Sequence, residues 1–543
     1  METLRVRENR FGKPSNPFVV AILAVIIPNR TMEISPMAEK FRLAVDLANV
    51  LAHDGKGAEL IATLAWGDEV VVTGRTAKGL NVELTRLDDS GQAIAIRTVP
   101  GFIKFPSKGS GIKADAVLDD GTGPAAHVFR ADFVDVQQGD GAVFETPEGR
   151  VLLVDGGDNQ LFARYLAARF PGSSAEAPKT IDAILITHGD ADHFEGLTEI
   201  HRSETHEKRG KRLFIHPEHV FHNGLVKRPG SRDEKEQLGA TAKLPDGTVV
   251  ITGLEDDPRN VPSADRNRPF NEWCEALDAW EGRGGKIAVA RLDGRSDGGA
   301  AFAFLDEGAP AGRPRVEVQV LGPLTVDVEG KPALKFLGSP TPRIGRKPGA
   351  PTTSGVSASH AINGHSVILR IKYGNVRFLL AGDLNEEAEE HLTEQRPDDL
   401  RAEVLKVPHH GSAEYSAKFL KAVAPAVSVV SSGDESERKE FIHPRATLVA
   451  ALGRHARAEV DEPLVLITEL AAFFAMEGPA RTTGKDPHDI FAFSRRAFGI
   501  VKVRTNGDRM LVYTYSGKND MKEAYAFTVA ADGTMAADPI RKC

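Results

Sequence analysis

The sequence predicts a mixed α/β (α+β) protein, with strands and helices interleaved in its main part and a small β-rich module ahead of it. Three observations carry this. Residues 133–157 read as antiparallel strand pairs that end in Asp155-Gly156-Gly157. The apolar run Ile181 to Ile186 leads directly into Thr187-His188-Gly189-Asp190-Ala191-Asp192-His193. A second core begins near Val316, and its strands also end in ligand-type residues, at Asp383 and at His409-His410.

Residues 1–58 read as a helical accessory segment. Ser35-Pro36 supplies a helix start, serine as cap and proline in the first turn. Phe41, Ala44, Leu47, Ala48 and Leu51 then recur at helical spacing. The apolar stretch Phe18 to Ile27 is too short to span a bilayer. No clean small-residue cleavage site follows it, so it reads as a buried strand or helix rather than a signal peptide. Residues 59–127 change character: Gly67 to Gly74, Leu80 to Leu84, Ala93 to Arg97 and Gly101-Phe102-Ile103 read as short strands of a small, SH3-like β module.

The main domain is expected over 128–475. Phe133 to Val136 and Ala142 to Thr146 pair across the turn Gln137-Gln138-Gly139-Asp140-Gly141, and Val151 to Val154 returns. Residues 200–315 are polar and weakly periodic and read as a long insertion. Residues 326–360, rich in Gly, Pro, Ser and Thr, read as an exposed loop. Ser366 to Ile371 and Val376 to Ala381 form a hairpin through Tyr373-Gly374-Asn375, and an acidic helix starts at Asn385. Glu403 to Val407 is a strand, followed by a helix over Ser416 to Val423, a strand over Val427 to Ser431, and a helix after His443-Pro444. Residues 476–543 are expected as a β-rich extension that completes or packs on this domain.

The 543 residues are 41% hydrophobic and 27% charged, an ordinary globular balance. A net charge of −8 excludes a surface coated with basic groups, so any nucleic-acid contact must be local. Basic clusters at Lys208, Arg209, Lys211 and Arg212, at Lys227 and Arg228, and at Arg343, Arg346 and Lys347 read as solvated loop charges. Two cysteines, Cys274 and Cys543, exclude a disulfide framework or a cysteine zinc site. They suit a reducing compartment, so a cytoplasmic location without a membrane span is expected.

The chemistry concentrates at His188, Asp190, Asp192 and His193. Crowded carboxylates and imidazoles at the end of a buried strand stay unsatisfied unless a cation joins them. Alternation sends residues 188 and 190 to one side, while 192 and 193 can diverge toward separate ions. Asp383, after Phe378 to Gly382, can bridge two cations. Taken alone it would read as a helix cap. His409 and His410 follow a strand, with Gly411-Ser412 as a sharp turn, and His443-Pro444 is a weaker signal.

Together these residues resemble the metallo-β-lactamase superfamily, and more narrowly the hydrolase domain of the bacterial DNA-uptake competence proteins (the ComEC family). The similarity runs from about residue 130 to 470 through Asp135 to Asp140, Val154 to Gly157, Thr187 to His193, Asn363 to Leu369, Leu379 to Asp383, Leu405 to Ser412 and His443-Pro444. It implies an αββα sandwich with metals at one edge between the sheets. It also implies two divalent cations, Mn²⁺ or Zn²⁺ with Mg²⁺ also admitted, sharing Asp383 and a bridging water. One ion would rest on His188 and Asp190, the other on Asp192, His193 and His409. Asp190 stands where the superfamily usually has His, which makes the site harder and more oxygen-rich. Asn363 stands near the usual third His, with His222, His360 and His365 as substitutes. Asp155 is expected to orient a ligand. His410, His443, Lys406 or Ser412 would bind a phosphate or protonate the leaving group, with Asp192 also at the reacting centre.

The function expected first is phosphodiester hydrolysis, as a nuclease with DNA or RNA as substrate. A hydrolase of small esters (phosphorylcholine esters, lactones or nucleotide signals) is the second expectation, and a binding or scaffold protein with a degenerate site the third. The intact set of ligand residues argues against the last.

Overall fold

The computed structural model describes residues 39–88, 95–106, 112–341, 346–347, 351, 353–433, 443–471, 473–481, 489–497, 499–515 and 521–543. Phe18 to Ile27, the Ser35-Pro36 helix start and Arg343 lie outside them. Two sheets face each other. One has ten strands, in edge-to-edge order 288–291, 215–222, 179–185, 151–154, 142–145, 129–134, 500–505, 509–515, 521–529 and 535–538. The other has six, in the order 316–322, 368–373, 376–380, 404–406, 427–430 and 464–467.

Strand periodicity explains the layers. In Val151–Val154, Leu152 and Val154 join the core between the sheets, while Val151 and Leu153 join an outer core beneath helices. Both faces are covered, so the strand reads as an unbroken apolar run. Leu161–Arg169, Ala191–Ser203 and Arg268–Gly284 cover the ten-stranded sheet. Glu386–Gln395, Ala417–Val423 and Ala446–Arg454 cover the six-stranded one. Between the sheets, Phe129 stacks on Tyr373 with ring centroids 5.2 Å apart, and Phe144 meets Phe378 edge-on at 5.9 Å. The result is an αββα sandwich.

Three expectations are corrected. Residues 41–51 are not helical: Glu39–Leu43 and Leu47–Leu51 are strands of a seven-stranded sheet that runs to Leu118–Asp119. Leu43, Val45 and Val50, which the helical spacing omits, are buried, while Phe41, Ala44 and Leu51, which it chose, are only partly so, and pairing with 60–65 and 69–75 overrides the local pattern. The stretch 200–315 is not simply an insertion, because Ile215–His222 and Ala288–Arg291 extend the ten-stranded sheet. Its helix Arg268–Gly284 is capped by Asn267 and buries Phe270, Trp273, Ala276, Leu277 and Trp280 at helical spacing. The stretch 326–360 is not a plain loop, since Val326–Val328, Lys331–Lys335 and Ala358–Gly364 are ordered elements.

The C-terminal strands continue the ten-stranded sheet, Val503 pairing with Ala131, and they bear the N-terminal sheet. Arg504 donates to the Trp66 carbonyl at 2.5 Å and pairs with Asp68 at 2.9 Å. Arg509 takes both oxygens of Asp46, at 2.5 and 2.9 Å. No helix among the described residues is long and apolar enough to cross a membrane.

Candidate metal centre

Parallel strands set the position of the centre. Val151–Val154 and Lys179–Leu185 run side by side in one sheet, and Val376–Leu380 and Val404–Lys406 in the other. Just beyond their carboxyl ends lie Asp155, the 187–193 segment, Asp383 and the 408–411 turn, where open α/β sheets bind ligands. Backbone strain gathers here. Of the six non-glycine residues with positive φ in the described chain, Gln137, Asp155, His409 and His410 flank the centre. Gly139, at φ +102°, lies so close to Asp192 that a Cβ would fall 1.7 Å from its carbonyl oxygen.

Asp383 is the hub. His193 Nε2 stands 3.2 Å from its Oδ1, and His410 Nε2 stands 3.2 Å from its Oδ2 and 3.6 Å from Asp192 Oδ2. Asp155 holds the other side of His193, its Oδ2 lying 2.9 Å from Nδ1. It is itself fixed by the Thr187 amide at 2.8 Å and hydroxyl at 2.7 Å. His188 packs against His193 with ring centroids 4.1 Å apart, its Nδ1 lying 3.2 Å from Thr187 Oγ1 and 3.4 Å from Ser366 Oγ. Ser366 also accepts the Asp383 amide at 3.0 Å. Gln138 Nε2 donates to Asp192 Oδ2 at 3.0 Å.

The donor set fits a divalent cation. His193 Nε2, Asp383 Oδ1, His410 Nε2 and Asp140 Oδ1 are buried and make no hydrogen bond. Unpaired polar atoms at that depth are expensive. His188, His193 and Asp383 bring ligand atoms within 4.8 Å of one another, and so do Asp192, His193 and His410. Burial opposes charge on both His193 and His410. Asp383 outweighs it, together with Asp155 at His193 and Asp140 at His410, and both imidazoles are held well above their ordinary pKa. The field that retains those protons also favours a metal cation, which would replace them.

Several assignments change. His410, not His409, points into the centre: both residues adopt left-handed φ, at 51° and 49°, and this turn reverses which ring faces inward. His409 lies beside His443, ring centroids 6.1 Å apart. Burial first, then His410 and His409, lower His443 to about 4. Lys406 is buried and holds Asp140 and the Val407 carbonyl, so it is a counter-ion rather than a phosphate contact. Ser412 Oγ accepts the Glu414 amide at 3.2 Å, closing its own turn. Asp190 joins none of the groups with clustered ligand atoms. Its Oδ1 meets Lys227 Nζ at 2.5 Å, so Lys227 is not simply a solvated loop charge. Asn363, its amide turned so that nitrogen faces acceptors, donates to Asp190 Oδ2 at 2.8 Å and to the Ser359 carbonyl at 3.1 Å.

The three substitute histidines are engaged elsewhere. His222 Nε2 meets the Asp256 carbonyl at 3.0 Å, and His365 Nε2 meets the Lys335 carbonyl at 2.6 Å. His360 Nε2 faces Glu414 at 3.9 Å. The missed residue is Asp140, whose carboxylate lies 3.3 Å from His410 Nδ1. The Gln138-Gly139-Asp140 turn carried a signal, but a polar turn between paired strands needs no ligand to explain it.

Comparison with known proteins agrees. Residues 134–260 match the profile of the Metallo-beta-lactamase superfamily. ComE operon protein 3 of Bacillus subtilis (strain 168) is 30% identical over 95 residues, which is 17% of this chain and 12% of that protein. Competence protein ComA of Neisseria gonorrhoeae is 42% identical over 72 residues, 13% of this chain and 10% of that protein. The matches thus span about a tenth of the length of these relatives.

Proposed function

With a metallo-β-lactamase-superfamily hydrolase domain as the premise, we propose that the chain is a metal-dependent phosphodiesterase acting on DNA or RNA. The observation that carries this is the approach of His193 Nε2 and His410 Nε2 to opposite oxygens of Asp383, with both imidazole nitrogens and Asp383 Oδ1 making no hydrogen bond. Asp192, His193, Asp383 and His410 would hold one divalent cation. His188, with His193 and Asp383, offers a second position, and Asp190 would add a ligand to it only when released from Lys227. Mn²⁺ is the favoured ion, because carboxylate oxygens make up much of the set. When bound, the metal supplies a water of lowered pKa and charge stabilisation for attacking and leaving oxygens.

The protein's own groups orient this chemistry. Asp155 fixes the His193 ring by accepting from Nδ1. His410 Nδ1 lies 3.2 Å from the Ser431 carbonyl, and Asp140, paired with Lys406, sets a counter-charge 3.3 Å from the same nitrogen. His443, neutral at pH 7 and beside His409, is the remaining candidate to donate a hydrogen bond to a phosphate oxygen. Similarity to two competence proteins supports a nucleic acid over a small ester.

The test is incubation with labelled DNA, RNA and cyclic nucleotides under Mn²⁺, Mg²⁺ and Zn²⁺, with Asp192→Ala as the control. Strand cleavage that needs metal and is lost in the variant is expected. Cleavage that survives in the variant refutes the assigned centre, and hydrolysis of the cyclic nucleotides alone refutes the nucleic-acid reading.

A further inference from the structure

The two cation positions are not equivalent. Asp192, His193, His410 and Asp383 face one another, and among the described residues no lysine or arginine is paired with any of the four. The position beside His188 brings together His188, His193 and Asp383, and the carboxylate that would complete it, Asp190, two residues along the chain from His188, has both oxygens already engaged. Lys227 Nζ lies 2.5 Å from Oδ1, and the Asn363 amide donates to Oδ2 at 2.8 Å. Lys227 does not reach Asp190 as a loose surface chain. Its side chain is 26% exposed and Asp190's is 16% exposed, and its own carbonyl accepts the Asn267 amide at 3.0 Å, tying its loop to the start of the helix Arg268–Gly284.

A lysine ammonium is a compact point charge on a flexible stem. At this distance in a half-buried setting it supplies the positive charge that a metal ion would otherwise supply to Asp190. We propose that Lys227 takes the charge position of the second cation, so that the centre binds one divalent ion tightly and a second only by displacing Lys227 from Asp190. This rests on the metal-hydrolase reading above and adds an order to its loading. The displaced ammonium, at the rim of the centre, is then available to an anionic substrate oxygen. Lys227 is thus a positioning residue that couples the second ion to the substrate path.

The experiment counts ions rather than turnover. Mn²⁺ binding to the full chain is measured by equilibrium dialysis with elemental analysis, for wild type and for Lys227→Met, Lys227→Arg, Asp190→Asn and Asp383→Ala. Wild type is expected to bind one Mn²⁺ at low concentration and a second only at a concentration at least about tenfold higher. Lys227→Met should tighten the second ion by about tenfold or more, and Lys227→Arg should keep the wild-type curve. Asp190→Asn should keep the first ion and lose the second, which tests the idea even if Lys227→Met folds poorly. Two equal tight ions in wild type, or superimposable curves for wild type and Lys227→Met, overturn the proposal and leave the hydrolase reading standing. The absence of any tight ion in wild type, or full binding in Asp383→Ala, overturns both.

Discussion

Two regions of this molecule bury charge at similar depth and treat it in opposite ways. Where the C-terminal strands meet the main sheet, Asp132 accepts from Tyr165 at 2.5 Å, from Arg169 at 2.6 Å and from Lys502 at 2.9 Å. Positive charge surrounds it, and burial is outweighed by Lys502 and Arg169, which hold its carboxyl well below the usual range. At the candidate metal centre the carboxylates of Asp140, Asp155, Asp192 and Asp383 converge on imidazoles, and key nitrogen and oxygen atoms have no hydrogen-bond partner. In the first arrangement the Asp132 carboxylate is satisfied without a ligand, and the atom left over is a donor, Arg169 Nε, which no cation could serve. The second is completed by a cation. Buried charge by itself therefore does not mark a functional site; buried charge with its lone pairs left over does.

Substitutions should separate the two regions. The largest effect is expected for Asp383→Ala. Losing the shared carboxylate removes several kcal/mol of transition-state stabilisation, a thousandfold or so in hydrolysis, while the metal-free protein should melt no lower than wild type. A steady-state assay paired with thermal melts in chelator checks both halves. Asp132→Ala should do the reverse. It strands Lys502 and Arg169 without their counter-charge and costs about 3–5 kcal/mol, read as a lowered urea midpoint at unchanged slope, with the metal stoichiometry of the folded protein intact.

Smaller effects sharpen the contrast. Asp155→Asn should weaken metal binding by about 10–100-fold while the fold is retained, measured by competition with a chelating dye. A pH series gives the mildest change. Burial lowers buried His365 from 6.5 to about 4, the neutral ring meeting the Lys335 carbonyl. The unfolded chain then binds a proton below pH 6.5 that the folded chain refuses until about 4. Stability falls as pH falls through that window, by at most about 1.4 kcal/mol per pH unit. His365→Gln should flatten the slope there. An unchanged slope would show that His365 is not the group responsible.

The two regions also differ in how far they could be read from sequence. The centre was legible because four of its ligand-type residues fall within 188–193, and because Asp383 and the His pair also end apolar runs. The Asp132 network was not, since its partners lie 33, 37 and 370 residues away and share no spacing with it. Within the centre, choosing His410 over His409 depends on two consecutive left-handed residues, a conformation that spacing does not encode. Lys406 read as a phosphate contact or proton donor and Lys227 as a solvated loop charge, and their pairing with Asp140 and Asp190 required the tertiary fold. In the fold, the two-layer core followed from strand periodicity. The strands at 39–51 and 215–222 did not, because long-range pairing decides them against a helical or featureless local pattern.

The central claim is that the unpartnered atoms around Asp383 are the ligands of a divalent cation. Diffraction at the manganese absorption edge from crystals grown with Mn²⁺ tests it directly. The account predicts an anomalous peak about 2 Å from His193 Nε2, His410 Nε2 and an Asp383 oxygen. Saturating Mn²⁺ with no peak there, or a peak only at some other cluster, would contradict it.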